Sequence, residues 1–509
     1  MKTVIKRLLP LLLVLLMLAG LFASCAKTPD KPEGTKTATA SGGGIIAPGD
    51  DSDESEVDPF YGAYTKDDLP ENLNYGGKTF TILCDQGQYA KSFVEADTGD
   101  TVGSALYARS ERVRERLGVS FNIVREKGAY DGMQTFTQKM QNGAGTYDLV
   151  LSYNLTPATM AIQGLVRDLT SASTKYINFE KPWWSAELLN NVSIDGRVFF
   201  TGDNSSWNNL RNMLGIFVDK NLFLKNHDGM TIDDLYDLVE NKQWTMEKMF
   251  ELTEGCYRGV SDGVVSKEKD TFGLSVGHNV WQEAWYFAAG YVTLYRNDAG
   301  EWSFSMIDSN ATTFISWLQG KLYGSNDIAN YDSKQYQMFK DGRVQFYLSA
   351  LSMVEQELTQ PFAVLPLPMY NAGTQKHYST HFSNTYDMYV IPTGAADPEM
   401  SSAVLECLAS EAYRRIAPAY FENYLKRRNA SDSRLKDMYD TIRAGIVFDV
   451  GTLFGELFVQ GDNPLYFVRR ALNRSAGWEN ITTKWTAETN AQYLELWKQN
   501  LKKLEELPK

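Results

Sequence analysis

Two short patterns in the sequence have the spacing that covalent or metal chemistry requires. The run Gly273-Leu274-Ser275-Val276-Gly277 matches the G-x-S-x-G nucleophile elbow of hydrolases, which needs a strand, a sharp turn and a helix, followed along the chain by an acid and a histidine. Glu355 followed by His377 or His381 has that order. Because five-residue matches often arise by chance, a secreted hydrolase is only an alternative, and no residue is predicted to be catalytic.

His377 and His381 also have the i,i+4 spacing of a metal-binding pair on a helix. The residues between them favour an extended or turning backbone, on which the two would lie about 13 Å apart, too far to share one ion. No glycine-rich phosphate-binding pattern follows a predicted strand. We therefore expect neither a metal site nor a bound cofactor.

Loops that mix aromatic rings with amides and hydroxyls offer a different chemistry. A carbohydrate has C–H faces that stack on flat rings and hydroxyls that need paired donors and acceptors. Residues 203–209, 278–285 and 383–387 have this mixture. Trp207 and Trp281 have polar neighbours and are candidate stacking residues, whereas Trp285 continues an apolar helix face and is predicted to lie in the core.

Composition limits the function classes. The chain has 509 residues, of which 43% are hydrophobic, so it can form a large core in two or three domains. A net charge of -13 without a basic patch argues against nucleic-acid binding. Cys84, Cys256 and Cys407 are widely spaced, with no C-x-x-C pair, which indicates buried thiols and not a disulfide framework.

The N-terminus has the parts of a secretory signal. Three basic residues precede an apolar run, residues 8–23, that is short for a membrane span. Leu21-Phe22-Ala23-Ser24-Cys25 resembles the bacterial lipobox, which implies removal of residues 1–24 and lipidation of Cys25. Ordinary secretory cleavage is the alternative. Residues 25–59 are poor in apolar side chains and are predicted to be a disordered tether.

Strands and helices alternate after the tether. Strands are predicted at residues 79–84, 119–124 and 147–152, separated by helices at 104–117 and 134–141. Such βαβ units form a parallel sheet, and open α/β sheets bind ligands at the carboxyl ends of their strands. Gln86 and Asn154 follow two of these strands and are therefore candidate ligand contacts.

Several segments together resemble one protein family. Asp341-Gly342-Arg343-Val344, continuing to residue 350, is a charged turn followed by a strand, and residues 362–368 and 389–392 are apolar strands that end in prolines. Gly164-Leu165-Val166-Arg167-Asp168-Leu169 and residues 215–223 extend the pattern. They resemble family 1 extracellular solute-binding proteins, the substrate receptors of bacterial ABC importers, over residues 75 to 410.

The resemblance implies a type II periplasmic-binding-protein-like α/β fold of two lobes, each a mostly parallel sheet flanked by helices. By analogy, lobe 1 comprises residues 60–217 plus 378–435, and lobe 2 residues 218–377 plus 436–509. A monomer would bind a mono- or oligosaccharide between the lobes, close about a hinge and deliver the solute to an ABC permease. The lipid anchor would hold it on the extracytoplasmic face of the cell membrane, and nothing in this function is catalytic.

Candidate ligand contacts are polar or aromatic residues at strand ends or in the resembling loops: Gln86, Asn154, Asn204, Trp207, Trp281, Glu283, Ser349 and Asn384. Amino acids and polyamines stay open as ligands because Glu283 or Asp387 could pair with them. A sensory or structural surface lipoprotein, whose cleft binds nothing tightly, is the second alternative beside the hydrolase.

Overall fold

The computed structural model describes residues 65–260, 264–277, 279–297, 299–330, 334–356, 358–383, 386–426, 432–458 and 462–508. The predicted signal peptide, Cys25 and its tether lie outside these residues, as does the candidate contact Asn384. None of the helices in the described part of the chain has both the length and the apolarity to cross a bilayer.

The first sheet has four strands in the order β11-β3-β1-β2: β1 (Lys78–Asp85), β2 (Val119–Glu126), β3 (Leu149–Tyr153) and β11 (Asp387–Val390). β1 pairs in parallel with β2 and β3, and β11 runs antiparallel to β3. β1 is buried from Phe80 onward because helices cover both faces of the sheet. The carboxyl ends of β1 and β3 are therefore neighbours at one edge.

The second sheet has the order β10-β4-β9-β5-β8: β4 (Leu214–Asp219), β5 (Phe272–Val276), β8 (Ile328–Asn330), β9 (Val344–Ala350) and β10 (Phe362–Leu365). β5 runs parallel to β8 and β9, whereas β4 runs antiparallel to β9 and β10. This sheet is thus mixed, unlike the mostly parallel first sheet. β6 (Leu294–Arg296) and β7 (Trp302–Phe304) form a separate antiparallel pair.

Helices flank both sheets. In the described residues the α-helices are α1 (Gln86–Ser92), α2 (Thr101–Leu117), α3 (Met133–Asn142), α4 (Pro157–Ile162), α5 (Ala186–Val192), α6 (Trp207–Asn212), α7 (Lys220–Asn226), α8 (Ile232–Glu240), α9 (Met246–Glu251), α10 (Val280–Ala288), α11 (Ser309–Tyr323), α12 (Gln335–Lys340), α13 (Pro398–Glu411), α14 (Ser433–Ala444), α15 (Val450–Leu453), α16 (Pro464–Leu472) and α17 (Ala487–Glu505). Two π-helical segments, Ala412–Ile416 and Pro418–Lys426, follow α13.

Side-chain caps define where several helices begin. Asp100 accepts hydrogen bonds from the first backbone N–H groups of α2. Thr231 and Asp234 form a capping box at the start of α8, and the Thr245 side chain caps α9. Each cap gives a partner to N–H groups that have none within the helix, so the strand-to-helix turns have defined geometry.

Two adjacent tryptophans fix the segment before α5 to α13. The indole Nε1 atoms of Trp183 and Trp184 both donate to the Glu406 carboxylate, at 3.1 and 3.0 Å. Burial raises the pKa of Glu406 to about 8. Both rings are buried, so their role is structural, and Trp285 is fully buried, as predicted. Cys84, Cys256 and Cys407 are buried free thiols.

Three extended segments, at residues 212–214, 380–383 and 445–447, run side by side between the two sheets. Leu214 N donates to His381 O at 3.0 Å, and Thr380 N donates to Gly445 O at 2.6 Å. α13 and the π-helical segments pack on α2 beside the first sheet, whereas α14 packs on β10 of the second. These three segments are the backbone connection about which the two sheets could rotate.

Candidate ligand-binding site

A cavity of 90 Å³ lies between the carboxyl end of β3 and the helices α10 and α16. Tyr153 ends β3, Asn154 follows it, and Glu283 lies in the first turns of α10. Further lining residues are Tyr130, His381, Phe382, Tyr386, Tyr466 and Arg469, and we call this cavity the central pocket. It brings together the end of a first-sheet strand, residues of α10 and α16, and one of the segments that run between the sheets.

A buried ion pair occupies one wall of the central pocket. Arg469 of α16 donates to Glu283 through both Nε (2.6 Å) and Nη2 (3.0 Å). Burial alone would raise the pKa of Glu283, but the charge of Arg469 and hydrogen bonds from His381 and Arg469 lower it below its usual value. The carboxylate is therefore ionised, and the pair as a whole is neutral.

Tyrosine rings form another part of the pocket lining. The rings of Tyr130 and Tyr153 lie 5.5 Å apart, and the Arg469 guanidinium lies 4.8 Å above the ring of Tyr466. Tyr130 is 58% exposed and is held in the left-handed backbone region with φ of 54°. An exposed aromatic ring on a strained backbone is typical of a functional position, because both features cost stability.

Three polar atoms of residues that line the pocket have no hydrogen-bond partner among the described residues. They are Asn154 Oδ1, His381 Nδ1 and Asn463 Nδ2, and all three are buried. The other imidazole nitrogen, Nε2, lies 3.6 Å from Glu283 Oε1, and the ring stacks on Phe287 at 4.1 Å. A buried polar atom without a partner costs about 1–3 kcal/mol. A polar ligand in the central pocket could remove that cost.

The central pocket is too small for a sugar, since ligand pockets typically enclose about 300–1,000 Å³. A second cavity of 580 Å³ adjoins it and shares Tyr130. We call it the amide groove because α3 and α4 supply glutamine and threonine side chains to it: Gln134, Thr137, Gln138, Gln141, Thr156, Thr159 and Gln163. Tyr130 therefore lines both spaces, and a ligand in the central pocket needs the surrounding elements to separate.

A larger cavity than either of these lies elsewhere. It has 810 Å³ and is lined by Tyr291, Tyr370, Gln375, His377 and Glu187, among others. It is at the carboxyl end of α10, whereas the central pocket is at the amino end of α10 and the carboxyl end of β3. Because open α/β sheets bind ligands beyond the carboxyl ends of their strands, the central pocket is the better candidate.

Of the predicted contacts, Asn154 and Glu283 line the central pocket. None of the other five described candidates does. Their positions are as follows: Gln86 is the exposed first residue of α1, Ser349 is buried in β9, Asn204 lines a separate 410 Å³ cavity, Trp207 lies 5.1 Å from the Arg211 guanidinium, and Trp281 is partly buried against Gly277.

Sequence reasoning missed most of the pocket residues, and four of them are instructive. Tyr153 precedes the chosen Asn154 at the same strand end, so the strand-end rule could have found it. Tyr466 and Arg469 are three residues apart on α16, a spacing that places them on one helix face. They lie beyond the segment with family resemblance. Tyr130 is in a short 3-10 turn, Tyr130–Gly132, and no local pattern marks it.

The geometry does not support the hydrolase alternative. Ser275 is buried within β5, paired with Ala329 and Tyr347, and its Oγ donates to Ala329 O at 3.4 Å, so it is not on a strand-to-helix turn. The proposed acid, Glu355, accepts a hydrogen bond from Arg211. Among the described residues no three metal-ligating side chains cluster.

Comparison with known proteins identifies the family. The family described as bacterial extracellular solute-binding protein matches residues 112–417, which is more than half of the chain. No curated protein matched the sequence.

Solved structures with the same fold include the sugar-binding protein MalE from Xanthomonas citri, with a TM-score of 0.55, 12% identity, and coverage of 84% of this chain and 100% of that one. The cyclic alpha-maltosyl-1,6-maltose binding protein from Arthrobacter globiformis has a TM-score of 0.52, 11% identity, and coverage of 84% and 99%. UgpB from Mycobacterium tuberculosis, in complex with glycerophosphocholine, has a TM-score of 0.51, 12% identity, and coverage of 85% and 99%.

At these identities the structures establish the fold alone, and it is the two-lobe fold of periplasmic binding proteins that the sequence predicted. The matched family consists of binding proteins, which indicates a receptor and not an enzyme. This chain belongs to the bacterial extracellular solute-binding protein family.

Proposed function

We propose that this protein is the extracytoplasmic receptor of an ABC importer and that it binds a carbohydrate in the central pocket. The observation that carries this proposal is the pair of buried, unpartnered atoms, Asn154 Oδ1 and His381 Nδ1, beside the tyrosine rings. One sugar hydroxyl can donate to Asn154 Oδ1 and another can donate to or accept from His381 Nδ1, while a sugar face stacks on Tyr130 or Tyr153.

Charge also favours a neutral ligand. Glu283 and Arg469 neutralise each other within the pocket. A phosphate or carboxylate ligand would need a cation that is not already paired, and a cationic ligand would need a second carboxylate. A sugar needs neither. Instead, the pair offers it a charged donor and a charged acceptor for hydroxyl groups, which give hydrogen bonds of about 1.5–3 kcal/mol each.

Binding requires the pocket to open. At 90 Å³ the central pocket represents a closed arrangement. Rotation of the two sheets about the crossing segments would enlarge it, because residues 212–214, 380–383 and 445–447 are the connections that can absorb the motion. A bound sugar would then favour reclosure, since Asn154 and Glu283 contact it from opposite sides only in the closed state. The closed receptor would deliver the sugar to its permease.

The amide groove supports an oligosaccharide over a monosaccharide. Its side chains are mainly amides and hydroxyls, which both donate and accept hydrogen bonds. Because Tyr130 lines both the groove and the central pocket, one sugar unit could stack on its ring while a neighbouring unit lies in the groove. Displacement of Tyr130 joins the two spaces into one site of the required size.

Anchoring and assembly are part of the proposal. Cys25 would carry the lipid after residues 1–24 are removed, and residues 25–59 would tether a monomer to the cell membrane near its permease. The extracellular location of the family is consistent with this arrangement. The lobe boundaries given above remain predictions. Mass spectrometry of the N-terminal peptide should find a diacylglyceryl-modified Cys25, and an unmodified thiol there would exclude the anchor.

Binding can be tested with the purified full chain against mono- and oligosaccharides, polyamines and amino acids. A ligand at about 100 times its Kd stabilises the folded state by about 2.7 kcal/mol and raises the unfolding midpoint. We expect oligosaccharides alone to raise it. Asn154→Ala should weaken the response about tenfold in concentration, whereas the control Asn122→Ala, on the exposed face of β2, should not. No response to any ligand would favour the sensory or structural alternative.

A further inference from the structure

The 410 Å³ cavity that contains Asn204 lies away from the central pocket, and we call it the Arg443 cavity. It is lined by Lys181, Trp184, Ser185, Asn204, Tyr413 and Arg443, with Glu180 and Glu187 also at its walls. Arg443 comes from the last turn of α14, which packs on the second sheet. The 179–187 segment is fixed to α13 beside the first sheet by the two tryptophans. The cavity therefore separates elements that belong to different sheets.

Arg443 forms no hydrogen bond to a carboxylate among the residues that the structure describes. Its Nη2 donates to Asn204 O at 3.3 Å, and its guanidinium lies 4.9 Å above the ring of Phe421. No carboxylate in the described part of the chain forms an ion pair with it. Burial lowers the pKa of Arg443 to about 10, because the opposing effect of the charges on Asp440 and Glu422 is smaller than the cost of desolvation. The side chain keeps some exposure, consistent with a guanidinium that faces the cavity.

The other charged groups of the cavity do not neutralise Arg443. Lys181 is paired with Asp68 at 2.5 Å. Glu187 accepts a hydrogen bond from Phe448 N at 3.1 Å, and burial raises the pKa of its carboxyl to about 7, so much of it is uncharged near neutral pH. Glu180 is exposed to solvent. The cavity thus holds one unpaired cation, and Ser185 adds a hydroxyl that can donate a hydrogen bond.

We propose that the Arg443 cavity is a second binding site, which takes a small molecule through an oxyanion group, either a carboxylate or a phosphate. The planar guanidinium matches two oxygens of such a group, and the volume of 410 Å³ accommodates a small metabolite. An anion there would contact α14 on one side and the 179–187 segment on the other. It would therefore link the two sheets at a site that shares no lining residue with the central pocket.

This inference does not depend on the proposed sugar ligand. Unfolding midpoints of the full chain would be measured in sodium phosphate, sodium succinate and sodium chloride at one ionic strength. We expect phosphate or succinate, but not chloride, to raise the midpoint in a saturable way. The anion that raises it at the lower concentration identifies whether the site prefers a phosphate or a carboxylate. Arg443→Gln should weaken this response at least tenfold, whereas Lys436→Gln, which removes one charge from the same helix, should not.

Equal responses in the wild type and in Arg443→Gln, or no response in the wild type, would overturn the proposal. A direct experiment on the wild type covers the case in which Arg443→Gln does not fold. Crystals soaked in selenate should show an anomalous peak within hydrogen-bonding distance of the Arg443 guanidinium, and its absence would also overturn the proposal. Failure of sugar binding would leave both results unchanged, so the two proposals fail separately.

Discussion

Arg469 and Arg443 occupy equivalent positions in their own helices and have opposite surroundings. Each lies in the last turn of a helix, where the macrodipole favours a cation. Arg469 forms a bidentate ion pair with Glu283. The charge of Glu283 outweighs the effect of burial and raises the pKa of Arg469. Arg443 has no such partner, and burial lowers its pKa to about 10. A buried arginine that faces a carboxylate can orient a neutral ligand. A buried arginine without a facing carboxylate can instead attract an anion.

The largest effect on stability should come from removing the ion pair between Glu283 and Arg469. Glu283→Gln keeps the shape of the side chain but leaves Arg469 buried without a countercharge. We expect a loss of about 3–5 kcal/mol in the free energy of unfolding, measured by urea denaturation. Arg469→Gln in the same background should recover part of that loss. A loss below about 1 kcal/mol for Glu283→Gln would show that the pair is not the main electrostatic feature of the pocket.

The pH dependence of stability tests the carboxyl group near the unpaired arginine. Burial raises the pKa of Glu187 from 4.5 in the unfolded chain to about 7 in the folded one. The folded state therefore binds this proton more tightly than the unfolded chain does. The contribution of Glu187 to the free energy of unfolding thus falls as pH rises from about 4.5 to 7, by at most about 3 kcal/mol. Glu187→Gln should flatten the urea-unfolding profile over this range.

The comparison with wild type isolates this group because Asp203 and Glu406, whose pKa values burial raises to about 7 and 8, are present in both proteins. If the profiles of wild type and Glu187→Gln run parallel between pH 4.5 and 7, the carboxyl of Glu187 titrates normally and the expectation is wrong.

Ligand affinity should respond to the exposed ring at the central pocket. Tyr130→Ala removes a stacking contact that contributes about 1 kcal/mol to the binding free energy. The Kd for the sugar, measured by calorimetric titration, should therefore rise about fivefold. Because the side chain is 58% exposed, the unfolding midpoint without ligand should change little. Tyr130→Phe keeps the ring and should keep the affinity. An Ala variant with unchanged affinity would remove Tyr130 from the site.

The smallest effect should come from the unpaired arginine in the absence of any anion. Arg443→Gln removes a buried charge that no carboxylate offsets, so the free energy of unfolding in chloride buffer should stay equal or rise by about 1 kcal/mol. This sign is opposite to that of Glu283→Gln. A clear destabilisation would mean that the hydrogen bond to Asn204 O or the contact with Phe421 is worth more than the desolvation cost.

Much of the fold could be predicted from local patterns. The predicted helix at 104–117 corresponds to α2 (Thr101–Leu117), and the predicted strand at 147–152 corresponds to β3 (Leu149–Tyr153). These elements have hydrophobic periodicity that is visible within about ten residues. The mixed order of the second sheet could not be seen in this way, because β4 pairs with β9 and β10 from a distant part of the chain.

Fewer of the site residues could be predicted from the sequence, because the site also depends on contacts between distant parts of the chain. Asn154 was found because it follows a strand, a local signal. Arg469 matters because it meets Glu283, which is 186 residues away in sequence. Trp281 has polar neighbours that suggested a ligand contact, but its ring lies against Gly277, which has no side chain to exclude it. Such long-range contacts decide which aromatic residues line the pocket.

The three buried thiols make this chain suitable as an optical sensor. Cys84, Cys256 and Cys407 are all buried, and burial raises their pKa values, that of Cys256 to about 11, so little reactive thiolate forms at neutral pH. A fluorophore maleimide would leave them largely unlabelled. With Cys25 lipidated or replaced by serine, one cysteine introduced at exposed Gln134, at the mouth of the amide groove, would then carry a single dye whose emission reports closure around the solute.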